Sequence, residues 1–406
     1  ATGNQKSKIK NQKYHRQIGI PNGNHHRDKL EMQKVFLTLI LMLILIRPIL
    51  TLYQEREIFF SKGYISSYSH LEKLYKQSQY AQKKNPGIIP DQALESFAAG
   101  AFLKGTNPIL IIHDQPPMGR YILSLSILLF DNVNTIMVAL FFLSSLGVFL
   151  IARLILSSTL FSFIPLGIFV NEPLFINKFY NTPLLEPIQL PFIIFALYFF
   201  IQGITKKNFT KWFILTSVML GFVISIRFFI LGAFLALAML VYFLIRKKID
   251  KRFITFIFSL PVTILILIAS YARTIQLGIS VLNIFGIQKY IFYYHKAQLS
   301  LPFSFWDLLL FNKWHTWWGT REVISDLQWI IIWPISMFFT GIFSVLGILR
   351  KISISEPEKI IIIWIIVYSL FLSLGETSTR YFSPLLPFIY IIATSFLKKT
   401  YEKIFV

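Results

Sequence analysis

Apolar residues in this chain come in long blocks, and that blocking limits the possible fold more than any other feature. Runs of roughly 18 or more apolar residues read as membrane-spanning helices. Candidate spans are 35–53, 119–131, 134–152, 154–171, 187–204, 210–225, 228–245, 253–272, 328–349, 359–374 and 382–398. Closed barrels alternate apolar and polar residues, and that pattern is absent. At 406 residues the chain has the length of two or three soluble domains, but it is 55% hydrophobic. The reading is an all-α polytopic membrane protein with about 10–11 transmembrane helices. The 41 Phe and 18 Tyr suit helices packed in lipid with aromatic ends at the interfaces.

The net charge of +21 would suggest nucleic acid in a soluble protein. Here the Lys and Arg collect in short loops, as they do on the cytoplasmic side of a membrane, so no nucleic acid is expected. The absence of cysteine excludes disulfide and thiol chemistry. Residues 1–34 read as a disordered, basic cytoplasmic tail, and its His25-His26 pair reads as solvated rather than metal-bound. The run 35–53 reads as a signal anchor with the N-terminus inside. Lys206-Lys207, Arg246 to Arg252, Arg350-Lys351 and Lys398-Lys399 should all be cytoplasmic, as should the tail 399–406. Alternation places 54–118, the region near 172–186, 273–327 and 375–381 outside the cytoplasm, in the plasma membrane of the cell. One conflict remains. Residue 131 falls inside and Glu186 outside, yet two apolar runs lie between them where an odd number is required.

The outer regions are not plain loops. An amphipathic stretch, SYSHLEKLYKQSQYAQK, precedes DQALESFAAGAFLKG in the first. In the loop 273–327, Trp314, His315, Trp317 and Trp318 suit a segment lying at headgroup level. Polar groups at membrane depth ask for a partner or a function. They are Arg47, Asp91, Glu95, His113, Asp114, Arg120, Glu172, Glu186, Arg227, Arg273, Glu376 and Arg380, most of them at outer span ends. Arginine forks suit phosphate, and a carboxylate beside a hydroxyl acts as a general base.

In order along the chain, these residues resemble the GT-C glycosyltransferases of the protein O-mannosyltransferase and aminoarabinose-transferase type. The family's acidic motif is matched by Asp91-Gln92 and the following LESFAAGAFLKGTNP, with Gln in place of the second acid. Its Asp-x-His-Pro-Pro-Leu-Gly-Lys is similar to His113-Asp114-Gln115-Pro116-Pro117-Met118-Gly119-Arg120. NTPLLEPIQLPF resembles its Leu-Leu-Asp motif with Glu186 in the Asp place, and GFVISIRFF places Arg227 where the family has Lys. Arg380-Tyr381 followed by Pro384 and Pro387 resembles its Arg-Tyr-x-x-Pro-x-x-Pro. The resemblance covers residues 35–398.

It implies a GT-C-like helical bundle with an amphipathic first outer loop. It also implies an inverting transfer of one sugar from a polyprenyl-phosphate donor to a protein, lipid or glycan acceptor outside the cytoplasm. Asp91 would be the general base, with Glu95 as the rival base and Glu186 as a second acid. Arg120, Arg227 and Arg380 would hold the donor phosphate, and His113, Gln115 and Tyr381 would contact sugar or acceptor. No cofactor is expected, and a metal held by Asp91, His113 and Asp114 is not favoured at this spacing. Asp91 after Pro90 is also a good helix cap. Two other functions fit the pattern: an O-antigen polymerase or ligase type enzyme, for which Trp314 to Arg321 speaks, and a transporter of lipid-linked sugar. A transporter would show paired repeats and midplane charges, and no internal repeat is seen.

Overall fold

The computed structural model describes residues 23–84, 86–180, 183–247, 249–296, 301–316 and 322–405; the side chains of 23–30, 180 and 296 also fall outside the description. Residues 1–22 of the expected tail, the side chains of His25 and His26, and Trp317, Trp318 and Arg321 therefore lie outside the described residues. The helices of eight or more residues begin with α1 Gly23–Gln54, α2 Tyr64–Lys76, α3 Asp91–Leu103 and α4 Met118–Phe130. Then follow α5 Thr135–Leu156, α6 Thr159–Asn171, α7 Pro173–Tyr180, α8 Leu185–Thr205 and α9 Phe209–Ile226. Next come α10 Ile230–Arg246, α11 Lys251–Ser259, α12 Pro261–Ser270, α13 Val281–Lys296 and α14 Ser304–Phe311. The last are α15 Ile332–Ile348, α16 Glu356–Leu372 and α17 Leu386–Phe405. The strands found are β1 Trp314–His315 and β2 Val323–Ile324, an antiparallel pair within the loop expected to hold a segment at headgroup level. Helix α1 begins at Gly23, ahead of the expected tail boundary at residue 34, and its apolar part runs Glu31–Gln54. Arg47–Val406 forms one compact unit, and the residues up to Ile46 belong to another.

Every expected apolar span coincides with a helix. Five of them are long and apolar enough to cross a bilayer among the described residues, or six if α6 and α7, bent by 57° at Glu172, count as one. Helices α4, α10 and α15 are apolar but shorter. Helix ends follow local chemistry. Asn107 and Ser158 cap the following turns with Pro108 at the first helical position of one, and Asp250 accepts from the amides of Arg252 and Phe253. Ser355 and Glu358 close a capping box at the start of α16. Polar side chains join helices inside the bundle. Gln189 of α8 donates to the Val223 carbonyl of α9 at 2.7 Å, and Ser217 meets Ser259 at 2.8 Å.

Basic residues mark one end of the bundle. Arg252 donates to the carbonyls of Ile204 and Lys206, Lys398 to that of Leu156, and Lys399 to that of Ser353. The opposite end carries Glu186 and Arg227 at neighbouring helix ends. Helix α4 corrects the expected topology. It starts there, with Gly119 against Leu185 and Ile226. It also finishes there: α5, which starts at Thr135 directly after α4, runs to Leu156, whose carbonyl accepts from Lys398 at the basic end, while Asp131 accepts from the amides of Gly63 and Ile65 and Asn132 donates to Ile58 and Ser61. Thirteen residues rise only about 20 Å, short of a hydrocarbon core of about 30 Å. The run 119–131 therefore does not cross. With α4 laid across one end, the conflict between residue 131 and Glu186 disappears, because α5 runs away from that end and α6 with α7 returns.

Candidate active site

Side chains from widely separated segments meet at the α4 end of the bundle. Asp91 is the first residue of α3; Pro90, not Asp91, stands at the cap position. Helix α3 lies beside α4 in the same direction, since Arg120 meets Glu95 and, one turn on, Ser124 donates to the Ala99 carbonyl at 2.8 Å. Glu186 sits in the first turn of α8, where the helix dipole favours a carboxylate. Arg227 follows α9 in extended backbone. Arg380 lies on the 3₁₀ turn Thr379–Phe382. That turn is pinned from both sides: Thr379 donates to Asp326 at 2.6 Å, and Tyr368 donates to the Tyr381 carbonyl at 2.9 Å.

These residues surround a cavity of about 500 Å³. Its lining includes Asp91, Glu95, Gln115, Arg120, Glu186, Arg227, Arg380 and Tyr381, so all the sequence-derived candidates except His113 share one site. His113 is exposed outside it, its ring near those of Tyr80 and Tyr290. Asp91, His113 and Asp114 do not form a three-ligand group, and among the described residues no cluster of His, Asp and Glu has the form of a metal site.

The charges are wired in two groups. Glu95 and Arg120 form a buried fork, with Nε–Oε2 at 2.8 Å and Nη2–Oε1 at 3.0 Å. Burial pushes the Glu95 carboxyl above its ordinary range, against the pull of Arg120. In the second group Glu186 stands 3.2 Å from Arg227 and 3.6 Å from Arg380. Arg380 also reaches Asp91 at 3.4 Å and the Tyr381 hydroxyl at 3.2 Å. Both guanidinium carbons lie 5.1 Å from the Tyr381 ring centre. Burial alone would raise the Tyr381 phenol, but Arg380 and Arg227 outweigh it and hold it below its usual range. Among these carboxylates Asp91 is the accessible one, its side chain 61% exposed where those of Glu95 and Glu186 are each 8% exposed.

The rest of the lining was foreseen only in part, through Asp114 and Glu376. Tyr80, Asp114, Tyr294, His295 and Glu376 also line the cavity. His295 comes from α13. Its Nε2 lies 3.1 Å from the Asp114 carbonyl, so that nitrogen carries the proton and donates. Burial holds its pKa below the ordinary value. The only signal for it was one His in the aromatic run YIFYYHK, 19 residues before the more conspicuous Trp cluster begins at Trp314.

An all-α membrane bundle with a charged cavity at one end defines the class of protein, and the comparisons with known proteins agree with it. Residues 114–273 match the family model described as dolichyl-phosphate-mannose-protein mannosyltransferase. The fold is similar to that of ArnT from Cupriavidus metallidurans bound to undecaprenyl phosphate, with a TM-score of 0.56 and 15% identity over 82% of this chain and 59% of that one. The apo form of ArnT aligns at a TM-score of 0.49 with 14% identity, over 84% of this chain and 60% of that one. The oligosaccharyltransferase AglB from Archaeoglobus fulgidus, in complex with an inhibitory peptide and a dolichol-phosphate, aligns at 0.48 with 12% identity, over 71% of this chain and 43% of that one. No curated protein sequence matches the chain. The chain thus spans less than two thirds of the length of these structures. The fold is similar to that of ArnT over most of this chain, and the family match over residues 114–273 agrees with the resemblance to the protein O-mannosyltransferase and aminoarabinose-transferase type.

Proposed function

We propose that this chain is an inverting glycosyltransferase that moves a sugar from a polyprenyl-phosphate donor to a hydroxyl acceptor. The observation that carries the reading is the linkage Asp91–Arg380–Glu186–Arg227: one accessible carboxylate beside two arginines at the end of a membrane bundle. The acceptor oxygen attacks the anomeric carbon and its proton passes to Asp91. The bond from that carbon to the phosphate oxygen breaks on the opposite face, and its electron pair leaves with the lipid phosphate. Arg227 and Arg380 stabilise the charge that develops there. Glu186, buried between them, holds the two guanidinium groups in place. Arg120 is left out of the phosphate set because its fork is occupied by Glu95. A phosphate leaving group needs no acid partner, so one base suffices, unlike the carboxylate pair of glycosidases.

The basic end of the bundle is assigned to the cytoplasm, which puts the cavity and its acceptor outside. The donor arrives from the lipid beside the helices. The test is turnover of a panel of polyprenyl-phosphate sugars by wild type and the Asp91→Asn variant. A fall of at least about a hundredfold in folded variant protein is expected for loss of a general base. Equal turnover by the variant would remove Asp91 from this role. Absence of turnover for every donor, with any acceptor, would remove the transferase reading.

A further inference from the structure

The carboxylates beside the arginines have partners within the protein; two other acceptor atoms of the cavity lining do not. Of the carboxylates just described, Asp91, Glu95 and Glu186 each have an arginine within 4 Å, at 3.4, 2.8 and 3.2 Å. Asp114 is 8% exposed and has no ion pair among the described residues. Its Oδ2 accepts one long hydrogen bond from the Tyr80 hydroxyl, at 3.5 Å. Its Oδ1 is buried and has no hydrogen-bond partner among the described residues, and the same holds for Oε1 of the next residue, Gln115. Buried acceptors without donors are rare and costly, because they lose water and gain nothing.

The wall that holds them is built to stay in place. His295 donates to the Asp114 carbonyl at 3.1 Å, and the Phe228 ring packs 4.7 Å from the imidazole. Pro116 and Pro117 follow directly, and Arg120 donates to the Pro116 carbonyl at 3.2 Å. The chemistry of the missing partner can be narrowed. The Asp114 carboxylate repels an anion, so this wall is not a second phosphate site. Two unpaired acceptors reject an apolar group. Gln115 adds an uncharged acceptor, and Tyr80 and Tyr294 border the same cavity. Adjacent neutral donors beside an aromatic surface are what a sugar ring presents.

We infer that Asp114 and Gln115 form a hydroxyl-binding wall that takes hydrogen bonds from neighbouring hydroxyl groups of a sugar. The inference rests on the glycosyl-transfer reading above and adds to it the part of the site that distinguishes one sugar from another. A site built around buried acceptors rejects a ligand lacking the matching hydroxyl, because the acceptor is then left unpaired.

The experiment measures binding rather than turnover. The purified full chain is titrated with undecaprenyl phosphate, with a set of undecaprenyl-phosphate hexoses, and with their single-deoxy analogues. Free oligosaccharides and their deoxy analogues form a separate arm. The variants are Asp114→Leu and Gln115→Met, each similar in size and lacking the acceptor. In wild type, loss of one particular ring hydroxyl should weaken binding by about tenfold or more, the scale of one buried unpaired group. Each variant should lose that sensitivity while binding bare undecaprenyl phosphate as wild type does. Sensitivity in the lipid-linked set assigns the wall to the donor sugar; sensitivity in the free oligosaccharides assigns it to the acceptor. If Asp114→Leu does not fold, Gln115→Met carries the test. Full hydroxyl sensitivity retained in a folded variant, or none in wild type with either ligand set, overturns the inference. Because no turnover is read, failure of the transfer reaction is seen separately in the Asp91 experiment.

Discussion

At the scale of single residues, the site separates charges that hold structure from charges left for chemistry. Arg120 matched the place of a family lysine and was expected at the donor phosphate. Its partner, Glu95, lies 25 positions earlier, and no local pattern links the two. The pair is buried, with side-chain exposures of 1% and 8%. Removing one member of such a pair leaves an uncompensated charge in a low-dielectric site. Arg120→Met should therefore lower stability by about 3–5 kcal/mol in thermal or denaturant unfolding. Adding Glu95→Leu to that variant should recover most of the loss, since the remaining charge is gone. A double variant no more stable than Arg120→Met would show that the pair is not what holds the two helices together there. His113 illustrates the opposite error: its motif position was suggestive, but its side chain turns out of the cavity.

At the scale of elements, α4 shows how an apolar run can mislead. Leu125, Leu128, Leu129 and Phe130 are exposed, while Gly119, Arg120, Ser124 and Ser126 are buried. The helix leaves four large apolar side chains outward and turns Arg120 and Ser124 toward α3, so its composition imitates a span. Its length, 13 residues, was the legible warning. The layer that α4 joins is tightly packed. A Cβ at Gly100 of α3 would meet the Tyr64 hydroxyl and come within 2.7 Å of the Tyr68 ring. Tyr64 also donates to the Ser96 carbonyl at 2.5 Å, so it is not free to yield. Gly100→Ala should cost about 1–3 kcal/mol by overpacking, despite the higher helix propensity of alanine. A variant as stable as wild type in the same unfolding assay would show that the α2 tyrosines can move aside.

For the whole molecule, the arrangement of basic and acidic ends is the property with the widest consequence. The chain has no cysteine, so single cysteines can be introduced without background. Lys104→Cys and Asn134→Cys, on either side of α4 in the chain, should both react with a membrane-impermeant thiol reagent from the same face. Lys207→Cys should react only from the other. Labelling of Lys104→Cys and Asn134→Cys from opposite faces would mean that α4 crosses after all, and the sidedness of every later helix would invert. This is independent of catalysis and can be read in intact and opened membrane vesicles.

The amino-acid sequence by itself determined the class of the protein, because lipid solvation acts on each segment locally. Continuous blocks of apolar residues satisfy their backbone in a bilayer as helices, and clusters of Lys and Arg gather at one end of the bundle. It also marked most of the residues that line the cavity, because a charge at a span end is costly enough to stand out wherever it pairs. What only the tertiary structure decided was pairing and direction. Arg120 turning to Glu95, Arg380 bridging Asp91 and Glu186, and His295 bracing Asp114 each depend on segments separated by 25 to nearly 300 positions. The flat course of α4 likewise follows from where its two ends are bonded, not from its composition. Hydrophobicity is additive along a chain and can be read from it; the geometry of a site depends on distances between segments that the chain order does not contain.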